Sequence, residues 1–110
     1  MAKFIKGDVV VIPFPFSDLS VIKRRPALII TSLKGNDLIL CQITSQTVKD
    51  DYAVQITDND FEQGSLKQVS NVRPNRIFTA ENKIILYKIG KLNTHKLNEI
   101  IKRVIDIIQH

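Results

Sequence analysis

The chain has 110 residues, of which 44% are hydrophobic and 25% are charged, and its formal net charge is +5 at pH 7. The length and composition are typical of one globular domain, so we interpret residues 1–110 as a single unit. No apolar run approaches the roughly 20 residues of a membrane span, and the first residues lack the apolar region of a secretory signal. The lone cysteine, Cys41, excludes an internal disulfide and a cysteine-based metal site. We therefore expect a cytoplasmic protein with no membrane partner.

The charge is unevenly distributed along the chain. The acidic residues Asp50, Asp51, Asp58, Asp60 and Glu62 crowd the middle, where only Lys49 opposes them. The rest of the chain is therefore more basic than the total suggests. Such segregation favours an anionic partner, either a nucleic acid or an acidic protein.

The first half of the chain predicts three strands. Residues 9–14 form a β-branched run that is limited by prolines, and residues 26–31 form a short apolar run typical of a strand buried on both faces. The turn signal at 34–37 makes residues 38–44 the second arm of a hairpin. Lys23, Arg24 and Arg25 lie between the first two runs, and we interpret them as a cationic loop.

The second half predicts shorter strands separated by polar turns. We expect these strands at residues 52–56, 66–72, 77–79 and 84–89. The polar residues 57–60 offer N-cap side chains for a helical turn over 61–63, which Gly64 ends. The segment Arg73-Pro74-Asn75 interrupts the strand pattern, and Gly90 ends the last strand.

The pattern changes to a helical period after Asn93 or Thr94. Apolar residues then recur at Leu97, Ile100, Ile101, Val104, Ile105 and Ile108. This spacing predicts one apolar stripe on an amphipathic helix of about four turns. Several short strands followed by one terminal helix predict a mainly β fold, a small antiparallel barrel with the helix packed on it.

Several kinds of chemistry have no residue support in the sequence. The two histidines, His95 and His110, are interpreted as exposed helix residues, and no histidine–cysteine ligand set accompanies them. The acidic cluster lacks the spacing of a calcium loop, and no glycine-rich phosphate loop precedes a helix. We therefore predict neither a metal nor a cofactor.

The residues that remain suit a phosphodiester. Arg25 precedes one strand of the predicted hairpin, and Thr44, Ser45 and Gln46 follow the other, so the two ends can be neighbours. Arginine with hydroxyl and amide donors can bind phosphate oxygens and the charge that develops on them. Arg73 offers a further cation from a third turn.

At these residues the chain resembles the MazF/PemK/Kid toxins of bacterial type II toxin–antitoxin systems, over almost its full length. The matching motifs are KGDVV at 6–10, RPALII at 25–30, ITS at 43–45, SNVRPNRIFT at 70–79 and IGKL at 89–92. The resemblance implies an SH3-like barrel that forms a homodimer. It also implies a metal-independent endoribonuclease that cuts single-stranded RNA, including mRNA, by attack of the 2′-hydroxyl and so stops translation and growth. The implied partner is an acidic, partly disordered antitoxin, and DNA is contacted only through that antitoxin.

The resemblance also implies roles for individual residues. Arg25 and Thr44 match the catalytic arginine and threonine of the family. The RNA-binding positions that we predict from their charge, donors or aromatic rings are Lys23, Arg24, Ser45, Gln46, Arg73, Asn75, Arg76 and Phe16. Aromatic residues beside cations, here Phe14, Phe16 and Phe78, can stack on unpaired bases, but such residues more often lie in the core or in a dimer interface. The terminal stripe is interpreted as core or as a surface for the antitoxin.

This chain departs from the family at two positions that concern proton transfer. Asn75 stands where some members carry an acidic residue, and the first loop has Phe16, Ser17 and Asp18 where some carry a histidine. Asp18 is then the candidate general base. Two alternatives stay open: a catalytically silent nucleic-acid-binding barrel, and a toxin that acts on a protein such as gyrase, because the gyrase-poisoning toxins are similar in fold.

Overall fold

The computed structural model describes residues 3–15 and 22–110, and within them seven strands form one antiparallel sheet that precedes a C-terminal helix. The strands are β1 (Asp8–Pro15), β2 (Ile22–Ser32), β3 (Asp37–Thr44), β4 (Val54–Ile56), β5 (Phe61–Gly64), β6 (Ser70–Glu81) and β7 (Tyr87–Leu92), and the helix is α1 (Thr94–Gln109). The spatial order β4-β6-β3-β2-β1-β7-β5 describes a curled sheet, a half-barrel. The predicted fold class, mainly β with a terminal helix, is confirmed.

Both faces of the central strands are buried, as their continuous apolar runs predict. Val9 and Leu28 belong to one buried cluster, together with helix residues such as Ile100. Val10 and Ala27, their immediate neighbours in sequence, belong to a second cluster on the opposite face. Successive strand residues point to opposite faces, so an uninterrupted apolar run fills both layers. Burying each large aliphatic side chain contributes roughly 1.5–3 kcal/mol relative to exposure.

Helix α1 covers the first of these clusters. The side-chain oxygen of Asn93 caps the helix by accepting a hydrogen bond from the backbone nitrogen of Lys96 at 2.8 Å. Val104 is buried, but Ile105 and Ile108 are 46% and 67% exposed. The apolar stripe predicted from the sequence therefore extends past the part that packs on the sheet. Among the described residues, no helix is long and apolar enough to cross a membrane.

The predicted helical turn over residues 61–63 is wrong. The turn lies earlier, at Asp58–Asp60, where Thr57 and Asp60 form a capping box around a short 3₁₀ turn. Residues 61–64 instead form β5, in which Gly64 faces Gly90 of β7. The capping signal was interpreted correctly, but pairing with β7 ends the helical conformation after one turn.

Further boundaries differ from the prediction. Strand β6 begins only at Ser70, whereas a strand was predicted from residue 66. Strand β6 runs without a break because residues 74–76 form a bulge: Arg73 pairs with Gln42, and Ile77 pairs with the adjacent Cys41. Strand β7 begins only at Tyr87, after a 3₁₀ turn at Asn82–Ile84, and it continues through Gly90. Gly90 lies within the strand and does not end it. A glycine is needed there because the backbone of β5 comes so close to Gly90 that an added Cβ would clash with it.

Candidate nucleic-acid interface

Strands β2 and β3 separate at one end and open a cleft. Their pairing runs from Ser32 opposite Leu38 to Ala27 opposite Gln42. Beyond Ala27 lies a cleft of about 300 Å³, which we call the basic cleft; its described lining is Lys23, Arg24, Arg25, Pro26, Ile43, Thr44, Ser45, Leu66, Gln68 and Ser70. Proline has no N–H to donate, so Pro26 weakens the ladder at the point where the pairing stops. The sequence thus brings Arg25 and Thr44 to one cleft, as the hairpin prediction required.

The three consecutive cations belong to a strand, not to the loop that the sequence predicted. Strand β1 pairs with β2 along this whole segment, with Ile12 opposite Arg25 and Phe14 opposite Lys23. The backbone is therefore fixed where a free loop was expected. Lys23 and Arg24 are exposed and Arg25 is half-buried, and none of the described residues that line the basic cleft is acidic. This part of the molecule offers an anion a concentrated positive charge.

Thr44 is held at the end of β3 by its neighbours. The backbone nitrogen of Gln46 donates to Thr44 Oγ1 at 3.1 Å. The backbone oxygen of Gln46 accepts in turn from Asn71 Nδ2 at 3.3 Å, and Asn71 is the β6 partner of Thr44 in the sheet. Because Oγ1 acts as an acceptor toward Gln46, the hydroxyl hydrogen of Thr44 can be donated to a ligand.

Arg73 and Asn75 converge on Asp50, and neither lines the basic cleft. Asp50 Oδ2 accepts from Arg73 Nη2 at 3.0 Å and from Asn75 Nδ2 at 3.3 Å. Its other oxygen, Oδ1, accepts from the backbone nitrogens of Tyr52 and Ala53 at 3.0 and 3.2 Å. Burial by itself raises the pKa of Asp50, but these four donors outweigh it and the net pKa lies below its usual value. Asp50 thus offsets the charge of Arg73.

The other predicted RNA-binding residues have separate locations. Ser45 lines the basic cleft, the exposed Gln46 contacts Thr44 through its backbone, and Arg76 is exposed in the bulge of β6. Phe16 lies outside the described residues, as does Asp18, the candidate base. The rings of Phe14 and Phe78 pack edge to face with centroids 5.0 Å apart against the second buried cluster, which supports the core interpretation for this pair.

One wall of the basic cleft was missed by the sequence interpretation. Leu66, Gln68 and Ser70 come from the connection between β5 and β6 and from the first residue of β6. Ser70 is 1% exposed and begins the SNVR motif, so a signal for it was available. Leu66 and Gln68 carried no signal. Asp50 was also missed, because it was grouped with the acidic cluster.

Other reactive side chains are poorly placed for chemistry. Cys41 is fully buried, as predicted, and burial raises the pKa of its thiol to about 12. His95 and His110 are both exposed on or after α1. Among the described residues, no group of three or more His, Cys, Asp or Glu side chains could hold a metal ion.

Solved structures share this architecture. An endoribonuclease in complex with its cognate antitoxin, from a mycobacterial species, superposes with a TM-score of 0.77 at 14% identity, covering 97% of this chain and 96% of that one. MazF from Deinococcus radiodurans gives a TM-score of 0.77 at 15% identity over 100% of both chains. The Mycobacterium tuberculosis toxin MazF-mt6 gives 0.71 at 18% identity, covering 93% and 96%. At these identities the likeness concerns the fold.

A match to the model of a protein family identifies the family of this chain. Among curated protein sequences, none matches this chain significantly. The model of one protein family, the PemK-like, MazF-like toxins of type II toxin–antitoxin systems, matches residues 5–108. This match spans all seven strands and nearly the whole of α1. The chain therefore belongs to the PemK-like, MazF-like toxin family of type II toxin–antitoxin systems.

Proposed function

We propose that this toxin is a metal-independent endoribonuclease that cleaves single-stranded RNA, mRNA included, at short sequences and thereby inhibits translation and growth. The observation that carries the proposal is the basic cleft, which half-buried Arg25 and Thr44 both line. Structural neighbours described as endoribonucleases give it further support.

We assign to Arg25 the stabilisation of the negative charge that develops in the transition state. Attack of the 2′-hydroxyl oxygen on phosphorus forms a phosphorane that carries additional negative charge on its equatorial oxygens. A guanidinium offers several donors in a fixed plane and stays protonated, so it stabilises that charge and is a poor general base. Its half-buried position strengthens the interaction, because fewer water molecules screen it.

Thr44 is the residue we assign to orienting the phosphate. Its Oγ1 is held by the Gln46 backbone nitrogen, so its own hydrogen is available for a nonbridging phosphate oxygen. Lys23 and Arg24 are exposed on the same segment as Arg25, and we assign them to attracting and contacting the RNA backbone.

The chemistry that these roles serve is an internal transesterification. The bond between the 2′-oxygen and phosphorus forms, and the bond between phosphorus and the 5′-oxygen of the next nucleotide breaks. The 2′-hydroxyl loses its proton and the leaving 5′-oxygen gains one, so the products are a 2′,3′-cyclic phosphate and a 5′-hydroxyl end. No oxidant, reductant or cofactor enters this balance.

We propose an antitoxin and a second copy of the chain as partners, because of the net charge of the chain, its exposed apolar residues and the complexes among its structural neighbours. Three of the neighbouring structures are complexes: an endoribonuclease with its cognate antitoxin, and two forms of a MazE–MazF complex. A chain of net charge +5 suits an acidic antitoxin. Exposed Ile105 and Ile108 on α1 offer apolar contacts to that antitoxin or to a second copy of the chain in a homodimer.

The test is cleavage of a long RNA by the purified protein in EDTA, followed by mapping of the 5′ ends and of their chemistry. Arg25→Ala should lower the single-turnover rate about 10²- to 10³-fold, the usual loss for one such donor. Thr44→Val keeps the branched shape and removes the hydroxyl, so its rate should fall, while Thr44→Ser should retain most of the rate. Thr79→Val and Lys102→Ala change exposed residues that do not line the basic cleft and serve as controls.

The possible results separate the proposal from its alternatives. Cleavage with 5′-hydroxyl ends that depends on Arg25 and Thr44 supports the endoribonuclease. Salt-sensitive retention of RNA without cleavage at any protein concentration would replace it with a nucleic-acid-binding barrel. Neither cleavage nor retention would favour a protein target.

A further inference from the structure

A second cleft adjoins the basic cleft. It has a volume of about 350 Å³ and is lined by Thr57, Asp58, Asn59, Lys67, Gln68 and Val69. Gln68 lines both clefts, so the two clefts are neighbours at this residue of the connection between β5 and β6. For a strand of RNA with its phosphate beside Arg25 and Thr44, the second cleft is the neighbouring surface beyond Gln68.

The wall of the second cleft is held in a specific conformation. Lys67 has a φ of 63° and is the one non-glycine among the described residues with a positive φ. Its backbone nitrogen donates to Ser65 Oγ at 2.8 Å, and Ser65 Oγ donates to Asp58 Oδ1, which also lines the second cleft. Surrounding contacts therefore maintain an unfavourable backbone conformation, an arrangement often found at ligand sites.

The polar groups of the second cleft suit a base better than a phosphate. Asp58 carries a negative charge that disfavours a phosphate, and within the described part of the chain its Oδ2 has no hydrogen-bond partner. The amides of Asn59 and Gln68 can donate and accept, and the exposed side chain of Val69 offers an apolar contact. A carboxylate oxygen is a good acceptor for the exocyclic amino group of a base.

We propose that the second cleft determines part of the cleavage sequence: it binds the base of a nucleotide next to the scissile phosphate and prefers a base that carries an exocyclic amino group over uracil. The inference rests on the proposed endoribonuclease function and adds a specificity site to it. Asp58 accepts from the amino group, and Gln68 contacts the base at the junction of the two clefts. Lys67 lies where it can contact the flanking phosphate.

The experiment uses the full chain and an RNA pool with randomised bases around a central segment. Wild type, Asp58→Asn and Gln68→Ala are compared by sequencing the cut ends and, in parallel, the RNA retained on a filter. The preference for amino-bearing bases at one position beside the cut should fall about fivefold or more in both variants, the least that loss of a good base contact predicts. Gln109→Ala removes an amide from the end of α1 and is the matched control. Urea unfolding of each variant checks that it is folded.

Each result has a defined meaning. If both folded variants cleave RNA with an unchanged site profile, the specificity role of the second cleft is refuted and the proposed endoribonuclease function stands. If the protein retains RNA without cleaving it, and Gln68→Ala alters the retained sequences, the endoribonuclease function is refuted and the role of the second cleft in base recognition stands. Neither cleavage nor retention by wild type would overturn both.

Discussion

Gly64 and Gly35 allow the close contact between β5 and β7 to be tested separately from backbone strain. Both have a positive φ, 69° at Gly64 and 82° at Gly35, so an alanine at either position costs about 1–2 kcal/mol for the backbone alone. At Gly35 an added Cβ meets nothing within 4 Å. At Gly64 it meets the carbonyl oxygen of Ile89 and lies 2.7 Å from the Cα of Gly90.

The expected difference follows from these contacts. Gly64→Ala pushes β5 from β7 at the cost of overpacking, about 1–3 kcal/mol beyond the shared backbone cost. We expect Gly35→Ala to lower the free energy of unfolding by about 1–2 kcal/mol and Gly64→Ala by about 2–5 kcal/mol. Urea unfolding of both variants measures this, and each kcal/mol should correspond to a fall in Tm of about 4–8 °C.

The comparison also has a clear refutation. Equal losses in the two variants, with equal dependence on urea, would show that β5 moves away from β7 without cost. The functional consequence is separate: β5 leads directly into the connection that carries Leu66 and Gln68, so Gly64→Ala should also weaken RNA retention, whereas Gly35→Ala should not.

Three other predictions concern single residues. The Asp50→Asn variant should be less stable than the wild type above about pH 4, and the difference should disappear in more acidic solution. The reason is that a carboxyl whose pKa is lowered in the folded state stabilises the fold only where it is ionised. The unfolding midpoint of both proteins, measured over a range of acidic pH, tests this. Lys67→Gly relieves a backbone conformation that costs about 1–2 kcal/mol, and the added chain entropy of glycine takes back about 0.5–1 kcal/mol. The free energy of unfolding in urea should therefore stay the same or rise. The slope of log affinity for RNA against log salt concentration should fall by about one, because one cation is lost. Cys41, with its thiol pKa raised to about 12 by burial, should react with iodoacetamide at pH 8 only after denaturation.

The sequence was a good guide to the central strands and to the helix. Continuous apolar runs such as residues 26–31 have few alternatives to a doubly buried strand, and the spacing from Leu97 to Val104 requires a helical face. The basic cleft could be anticipated for the same reason, since a hairpin places the start of one strand beside the end of the next. Arg25 and Thr44 were brought together in this way.

The differences arise where tertiary contacts override a correct local signal. The polar residues 57–60 start a helical turn, but pairing with β7 converts the residues after them into a strand. Pro74 suggests a break, yet a bulge accommodates it while β6 stays paired with β3 on both sides. Gln68 was predicted to lie in a strand at 66–72, but it lies in the connection before β6, and Asp50 also lies in a connection. No periodicity specifies the paths of these connections, so the contacts of both residues could only be found in three dimensions.

Arg25 and Arg73 show why the motif alone does not assign a role to an arginine. Both stand in motifs that resemble the family: Arg25 matches the catalytic arginine, and Arg73 was predicted to bind RNA. Arg73 has a carboxylate 3.0 Å away, which opposes the field that a phosphate would experience. Arg25 lines a cleft whose described lining is basic and hydroxyl-rich. A phosphate bound in the basic cleft would meet Arg25 together with Thr44, whereas Arg73 is not part of the described lining of that cleft. The surroundings therefore favour Arg25 for the chemistry, and they favour Arg73 for holding Asp50 and the segment that follows it against β6.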